Sequence, residues 1–350
     1  MGYTQQLLDD VRKQLAPDDA VLKEARARRD LARSAGEFFH GTNRSFGSGS
    51  LAHGTANCPV HQRDKGLDAD CGVVLDRRSH PTLGPDSVEQ EGPSAIVEQV
   101  RDHLRSEIEQ EYPGATFEIT KRAILIRFDA PLPTGEDPTV DLVVGLERRN
   151  APGLWIPNTE AERWDASHPE RHTELLTAEP KDLRVTRARA IRLAKAENKR
   201  SGKPPLCSFN LEALGWMFVE QGMDEADALL ALWADGADDL EERYTPDPAG
   251  VSGVIKVEDK DKAVERLRYA AGRLELALDD DDDEQHVRKA LAPLWPEFIS
   301  VDPNMATKAR SAARLRSGSP LYVTGGGVLS TTSGTPLKPV RSFGGLPAAR

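Results

Sequence analysis

The sequence is poor in cysteine, in aromatic side chains and in long apolar runs, and it carries no excess of positive charge. Its three cysteines, Cys58, Cys71 and Cys207, are widely spaced, so a disulfide framework is not expected and a reducing cytoplasm fits best. The longest apolar stretches, Ala213–Val219 and Ala228–Ala234, fall far short of the ~20 residues that a membrane span needs, so no membrane association is expected. The amino-terminal MGYTQQLLDDVRKQLAPDD is charged and helix-like, without the apolar centre of an export signal. With 46 Lys+Arg against 57 Asp+Glu the formal charge is −11, which argues against a protein that coats DNA by bulk attraction. No stable DNA binding is expected, and a local basic pocket remains compatible with that balance.

A length of 350 residues suggests two compact regions. Residues 3–35 read as a helix around Pro17, and a glycine-rich break, Gly41–Gly54, follows. Leu67–Leu75 alternates like a strand, Ser94–Tyr112 has helical spacing, and Thr116–Phe128 and Thr139–Leu146 are two further strand candidates. From about Pro180 the pattern is helical: Leu183–Lys199, Leu211–Gly222, Met223–Ala234, Lys260–Leu278 and Glu284–Leu294. A mixed α/β half thus precedes an α-helical half. Residues 317–350 are rich in Gly, Ser, Thr and Pro, a composition expected of a flexible tail or of a tether for a partner.

The chemistry concentrates between the glycine-rich break and the third strand. Gly49-Ser50 opens a short helical segment, GSLAHGTA, and the next strand carries Asp68-Ala69-Asp70. Residues two apart on a strand share a face, so both carboxylates can converge on one site. Neighbouring anions repel unless cations lie between them, and hard oxygen ligands suit Mg²⁺. Asp141 interrupts the apolar strand TVDLVVGL and could complete the set. Three carboxylates with two Mg²⁺ ions, or Mn²⁺ as substitute, would suit attack on a triphosphate with loss of pyrophosphate. The Gly49-Ser50 turn would then serve the phosphates, because glycine permits close backbone approach. Residues 181–203 hold nine Lys/Arg and two acids, with Arg192, Lys195 and Lys199 on one helical face. That is either a solvated basic face or a counter-charge for triphosphate.

The order of these motifs resembles the cGAS/DncV-like nucleotidyltransferases, a family of bacterial cyclic oligonucleotide synthases within the polymerase-β-type superfamily. GSLAHGTANCP looks like the family's Gly-Ser helix, LDADCGVVLD like its metal strand and TVDLVVGL like its third-aspartate strand. LWIPN followed by SHPERHTE is similar to its connector. RAIRLAKAENKRSGKPPLCSFNLEAL resembles the Lys-then-Ser-Phe-x-Leu-Glu signature of its helical lobe. The likeness spans roughly residues 40–235. The seventeen residues Leu51–Leu67 between Ser50 and Asp68 exceed the shortest superfamily spacing.

The resemblance implies an α+β, two-lobed fold. Residues 1–180 would form a mixed-sheet catalytic lobe with an N-terminal helix, 181–316 an α-helical lobe and 317–350 the flexible tail. It makes Asp68, Asp70 and Asp141 metal ligands, with Asp141 nearest the attacking hydroxyl. Gly49 and Ser50 would hold triphosphate, and Lys195 and Ser208 would contact phosphate from the helical lobe. It also implies NTP substrates, ATP and GTP foremost, a cyclic di- or trinucleotide product in anti-phage signalling, and an effector that senses the product. It further implies a regulatory partner at the tail, which reads Gly344-Gly345-Leu346-Pro347-Ala348-Ala349-Arg350. Transfer to RNA, a small molecule or a protein is an alternative with the same chemistry, and a nucleotide-binding scaffold without turnover is another.

Other features read as structural. Cys58, His61 and Cys71 suggest zinc but lack an evident fourth ligand. His168 and His172 have i, i+4 spacing without an HExxH pattern. Asp279–Asp283 lacks calcium-loop spacing and reads as a solvated helix boundary.

Overall fold

The computed structural model describes residues 2–58, 66–178, 180–200 and 203–301, together with three two-residue strands near the carboxyl terminus. The first segment, expected as one helix, is two: α1 (Tyr3–Leu15) and α2 (Asp19–Glu37). Pro17 cannot continue a helix, and the Asp18 carboxylate caps the second by accepting from the Ala20 amide at 2.8 Å. The break separates two destinations. Helix α1 buries Leu7, Leu8, Val11 and Leu15 in the helical core, whereas α2 lays Val21, Ala25, Ala32 and Ala35 on the sheet. Of the segment expected as an N-terminal helix of residues 1–180, the first half packs with the helices that follow residue 181.

Beyond α2 come β1 (Thr42–Ser48), α3 (Gly49–His53), β2 (Asp68–Leu75), α4 (Ser94–Ile108), β3 (Thr116–Ile119), β4 (Ile124–Arg127) and β5 (Thr139–Glu147). Strands β6 (Leu154–Asn158) and β7 (Arg163–Ser167) complete a mixed seven-stranded sheet. Its path is β1-β2-β5-β4-β3, with β6 paired to the end of β5 and β7 to β6. Strands β2 and β5 run parallel, and the other pairings are antiparallel. Thr116–Phe128, expected as one strand, is the β3–β4 hairpin, closed where the Thr120 amide donates to the Ala123 carbonyl at 2.8 Å. Strand β1 lies in the segment expected as a glycine-rich break.

Alternation at the start of β2 and β5 gives each strand a buried face and a more open one, and the later residues of both strands are buried on both sides, Val74 in a small core with Phe46 and Leu154. Cys71, Val73, Leu75, Leu142 and Val144 pack with Ile96, Val97, Val100, Leu104 and Ile108 and with the small side chains of α2. Gly36 admits close contact there, since a Cβ on it would stand 2.6 Å from Val73 Cγ1.

Helix α5 (Pro169–Thr177) leads from the sheet to α6 (Lys181–Lys199), α7 (Ser208–Phe218), α8 (Glu225–Glu242), α9 (Lys260–Leu278) and α10 (Glu284–Leu291). These helices and α1 share a second core that includes Leu8, Leu193, Leu214, Trp233, Leu274 and Trp295. The aspartate run supplies caps. Asp281 Oδ1 accepts from the Thr4 amide at 2.7 Å, and Asp283 accepts from Gln285 at 2.8 Å. Of the tail, the described strands β8 (Tyr322–Val323), β9 (Leu329–Ser330) and β10 (Thr335–Pro336) pair in the order β10-β8-β9. The remainder of the expected flexible tail lies outside the described residues. No described helix is long and apolar enough to cross a membrane.

Candidate active site

The three aspartates line one cleft at the sheet. Asp70 and Asp141 are register partners in the parallel β2–β5 pair, and Asp68 lies opposite Thr139, whose hydroxyl donates to Asp68 Oδ1. Burial, then the Asp141 and Asp68 charges, pushes the Asp70 carboxyl up from 3.8 to about 7. Burial followed by Asp68 lifts Asp141 to about 6. Asp141 Oδ1 is buried without a hydrogen-bond partner. Such an orphaned oxygen beside a second raised carboxyl fits a hard cation, whose charge would relieve both penalties. Among the described residues no group of three His, Cys, Asp or Glu side chains stands close enough to hold a metal ion as the side chains are placed. The Asp68 carboxylate is engaged by the Thr139 hydroxyl.

Strand β1 brings Ser48 into register with Asp70, and α3 begins at the next residue. Gly49 has φ +69°, and a Cβ there would fall 1.7 Å from Asp70 Oδ2. Only glycine lets the turn lie against this carboxylate. Helix α3 ends after a single turn at Gly54, with φ +72°.

Across the cleft, Lys195 and Glu212 are each about 5 % exposed. Lys195 Nζ donates to Glu212 Oε1 at 2.7 Å and to Thr55 Oγ1 at 3.0 Å. The Thr55 hydroxyl donates to Glu212 Oε1 at 2.6 Å, and His53 Nδ1 lies 3.1 Å from Glu212 Oε2. Burial alone would raise the Glu212 carboxyl, but Lys195 and the His53 hydrogen bond outweigh it and hold it far below the ordinary range. Ser208 opens α7 after Cys207, and Lys199 also lines the cleft. The cleft has a volume of about 410 Å³ and includes Gly49, Ser50, Asp68, Asp70, Asp141, Lys195 and Ser208 in its walls. It thus brings together every residue singled out from the sequence for this site.

The basic face of α6 is less uniform than its composition. Arg192 Nε donates to Asn57 Oδ1 at 3.1 Å and the Asn57 amide returns to the Arg192 carbonyl at 2.8 Å, so this arginine secures the loop after α3. The histidines are connectors. His168 caps α5 by accepting from the Arg171 amide at 3.3 Å, and His172 Nε2 pairs with Asp247 Oδ1 at 2.6 Å. The zinc candidates do not assemble among the described residues: Cys71 is buried on the opposite, core-facing side of β2, Cys58 Sγ donates to the Gln14 carbonyl, and His61 lies outside the described residues.

His53, Thr55 and Glu212 were not anticipated as site residues. The available signal was Glu212 itself, the lone acid in the apolar helix SFNLEALGWMF, which demands a buried partner.

The mixed sheet thus carries paired aspartates beside a Gly-Ser turn and is faced across the cleft by helices α6 and α7. Residues 5–179 match the Second Messenger Oligonucleotide or Dinucleotide Synthetase domain, half of the chain, and the protein belongs to that family. No curated protein sequence matches the chain. Among solved structures it is similar to the CD-NTase CdnG of Bradyrhizobium diazoefficiens in complex with GTP, at 15% identity and TM-score 0.63 over 87% of this chain and 97% of that one. CdnC of E. coli MS115-1 with ATP aligns at 15% identity and TM-score 0.60, covering 84% and 98%. The Vibrio cholerae cyclic AMP-GMP synthase DncV, in complex with the linear intermediate pppA(3′,5′)pG, aligns at 11% identity and TM-score 0.55, covering 85% and 87%. These likenesses agree in fold, and the family match makes the chain a nucleotidyltransferase of the class that builds oligonucleotide second messengers.

Proposed function

We propose that the protein joins NTPs, ATP and GTP foremost, into a cyclic di- or trinucleotide in a Mg²⁺-dependent reaction, as a cytoplasmic enzyme of anti-phage signalling. The observation that carries the reading is the register of Asp70 against Asp141 beneath the Gly49–Ser50 turn. In each round a ribose hydroxyl oxygen attacks the α-phosphorus of an NTP, and the bond from that phosphorus to the pyrophosphate oxygen breaks. Asp70 and Asp141, joined by Asp68 once it leaves Thr139, would hold two divalent cations. Bound there, the cations would supply charge neutralisation for the triphosphate and activation of the hydroxyl. The Asp141 carboxylate would take up the hydroxyl proton through whichever of its oxygens is not committed to a cation. Gly49 and Ser50 cradle the triphosphate from one side. Ser208 and Lys195 meet it from the other, two of the three Lys195 donors being already committed to Glu212 and Thr55.

The linear intermediate held by DncV supports stepwise bond formation within one cleft. CdnC forms a complex with a HORMA protein, which supports a regulatory partner here as well, and the C-terminal tail is its proposed contact. A separate effector would sense the released product.

The test is incubation of the purified chain with each radiolabelled NTP, singly and in mixtures, with Mg²⁺ or Mn²⁺, followed by phosphatase and chromatography. A phosphatase-resistant small product that disappears in Asp70→Asn supports cyclisation. Label retained on RNA, a small acceptor or protein would redirect the assignment to transfer. Absence of turnover under every condition would favour a nucleotide-binding scaffold.

A further inference from the structure

The Glu212 carboxylate of α7 joins α6 to the short turn formed by α3 and the residues after it, a segment more than a hundred residues away in the chain. Its Oε1 accepts from Lys195 of α6 and from Thr55 in the loop after α3, and its Oε2 faces His53 at the end of α3. His53 Nε2 in turn lies 3.1 Å from Thr173 Oγ1 of α5. All of these groups except Thr173 are less than about a tenth exposed, so water does not compete effectively for the bonds. The turn they secure is short. Helix α3 spans five residues, and the amides of Gly54 and Thr55 both donate to the Ser50 carbonyl, Thr55 at 2.9 Å. Fixing His53 and Thr55 therefore fixes Gly49 and Ser50 one turn away.

We propose that Glu212 is a positioning residue for nucleotide. With one carboxylate it locks the Gly49–Ser50 turn of the sheet lobe and Lys195 of the helical lobe into a single arrangement before nucleotide arrives. The proposal rests on the nucleotidyltransferase reading, in which those two groups face the triphosphate. It adds that the cleft is pre-ordered through His53 and Glu212, so that nucleotide binding does not have to order the turn.

The discriminating variant is His53→Ala, which severs α3 from Glu212 and Thr173 and leaves the Lys195–Glu212 pair in place. Affinity of the full-length chain for ATP and for GTP would be measured with Mg²⁺ by equilibrium titration, alongside the thermal midpoint. The expected result is binding weaker by roughly ten-fold, the scale of re-ordering a few residues on binding, with partial recovery in His53→Gln. In Glu212→Gln/His53→Ala the second substitution should add little to the loss, because both act through one link. Unchanged affinity in a folded His53→Ala chain, or strictly additive losses in the double variant, would overturn the positioning role alone. Failure of the wild-type chain to bind either nucleotide would instead overturn the nucleotidyltransferase reading and the positioning role with it.

Discussion

Replacing Lys195 by methionine separates the electrostatic part of the buried Lys195–Glu212 pair from its packing, because the thioether preserves most of the side chain's apolar length. At the observed 2.7 Å, unit charges at an effective dielectric constant near 20 attract by about 6 kcal/mol. Much of that attraction offsets the cost of taking both ions out of water, so the intact pair contributes little net stability. Removing one partner is different, since Glu212 is left as a buried carboxylate with only Thr55 and His53. Lys195→Met should therefore destabilise the chain by about 3–5 kcal/mol, whereas Lys195→Met/Glu212→Gln should recover most of the loss. The pH dependence has a definite sign. In the wild type the Glu212 carboxyl is held below its ordinary 4.5, so its contribution is complete above that value and is lost only as pH falls beneath it. Without Lys195, burial dominates and raises the carboxyl. The deficit of the variant must then grow as pH rises through the raised value, and be larger at pH 8 than at pH 5. Urea unfolding followed by tryptophan fluorescence can read this, with Trp233 and Trp295 buried in the helical core as reporters. A deficit below about 1 kcal/mol at both pH values, or a double variant as unstable as the single one, would refute the reasoning.

Three further outcomes follow from the site. Asp70→Asn should abolish product formation while raising the thermal midpoint in chelator, because it removes a buried charge and its repulsion with Asp141; a lower midpoint with retained activity would contradict the assignment. Gly49→Ala combines a left-handed φ of +69° with a Cβ 1.7 Å from Asp70 Oδ2. It should cost at least about 1–3 kcal/mol in chemical unfolding and suppress turnover, and wild-type behaviour would show that the turn adjusts freely. The cleft walls carry Asp68, Asp70, Asp141 and Glu212 against Lys195 and Lys199, so cation and nucleotide should each tighten the other's binding. ATP titrations at stepped Mg²⁺ concentrations should show this, and an ATP affinity independent of Mg²⁺ would exclude the linkage.

The parts of the fold that were legible in the sequence were those whose pattern is local. The starts of DADCGVVL and TVDLVVGL alternate with period two, so an acid on the more open face stands out from the residues on either side of it. What could not be read locally is that β2 and β5 lie side by side and parallel with Asp70 opposite Asp141, because register is decided by pairing partners far apart in the chain. Strand β1 shows the same limit from the other side. TNRSFGS is polar enough to pass for a loop, and Phe46 is its only large apolar residue; the segment is a strand because β2 offers it a ladder. The β3–β4 turn is hidden for a simpler reason, since Lys121 and Arg122 stand at its tip where glycine or proline would have announced it.

The same distinction governs the candidate site. Composition identified α6 as basic, yet its members have different fates: Arg192 is committed to Asn57, and Lys195 is bound to a carboxylate on α7 seventeen residues further on. Charge counting along one helix is blind to a partner contributed by another. A lone glutamate inside an apolar helix is the better clue, because the cost of burying it obliges a cation or several donors to be present. Applied to SFNLEALGWMF together with the lysine of α6, that rule leads from Glu212 to Lys195. Because a carboxylate has more acceptor capacity than one ammonium fills, it leads on to the short turn between β1 and β2, where His53 and Thr55 supply the remaining bonds. The two lobes are joined at this point by unmet hydrogen-bonding capacity in the sequence of one helix.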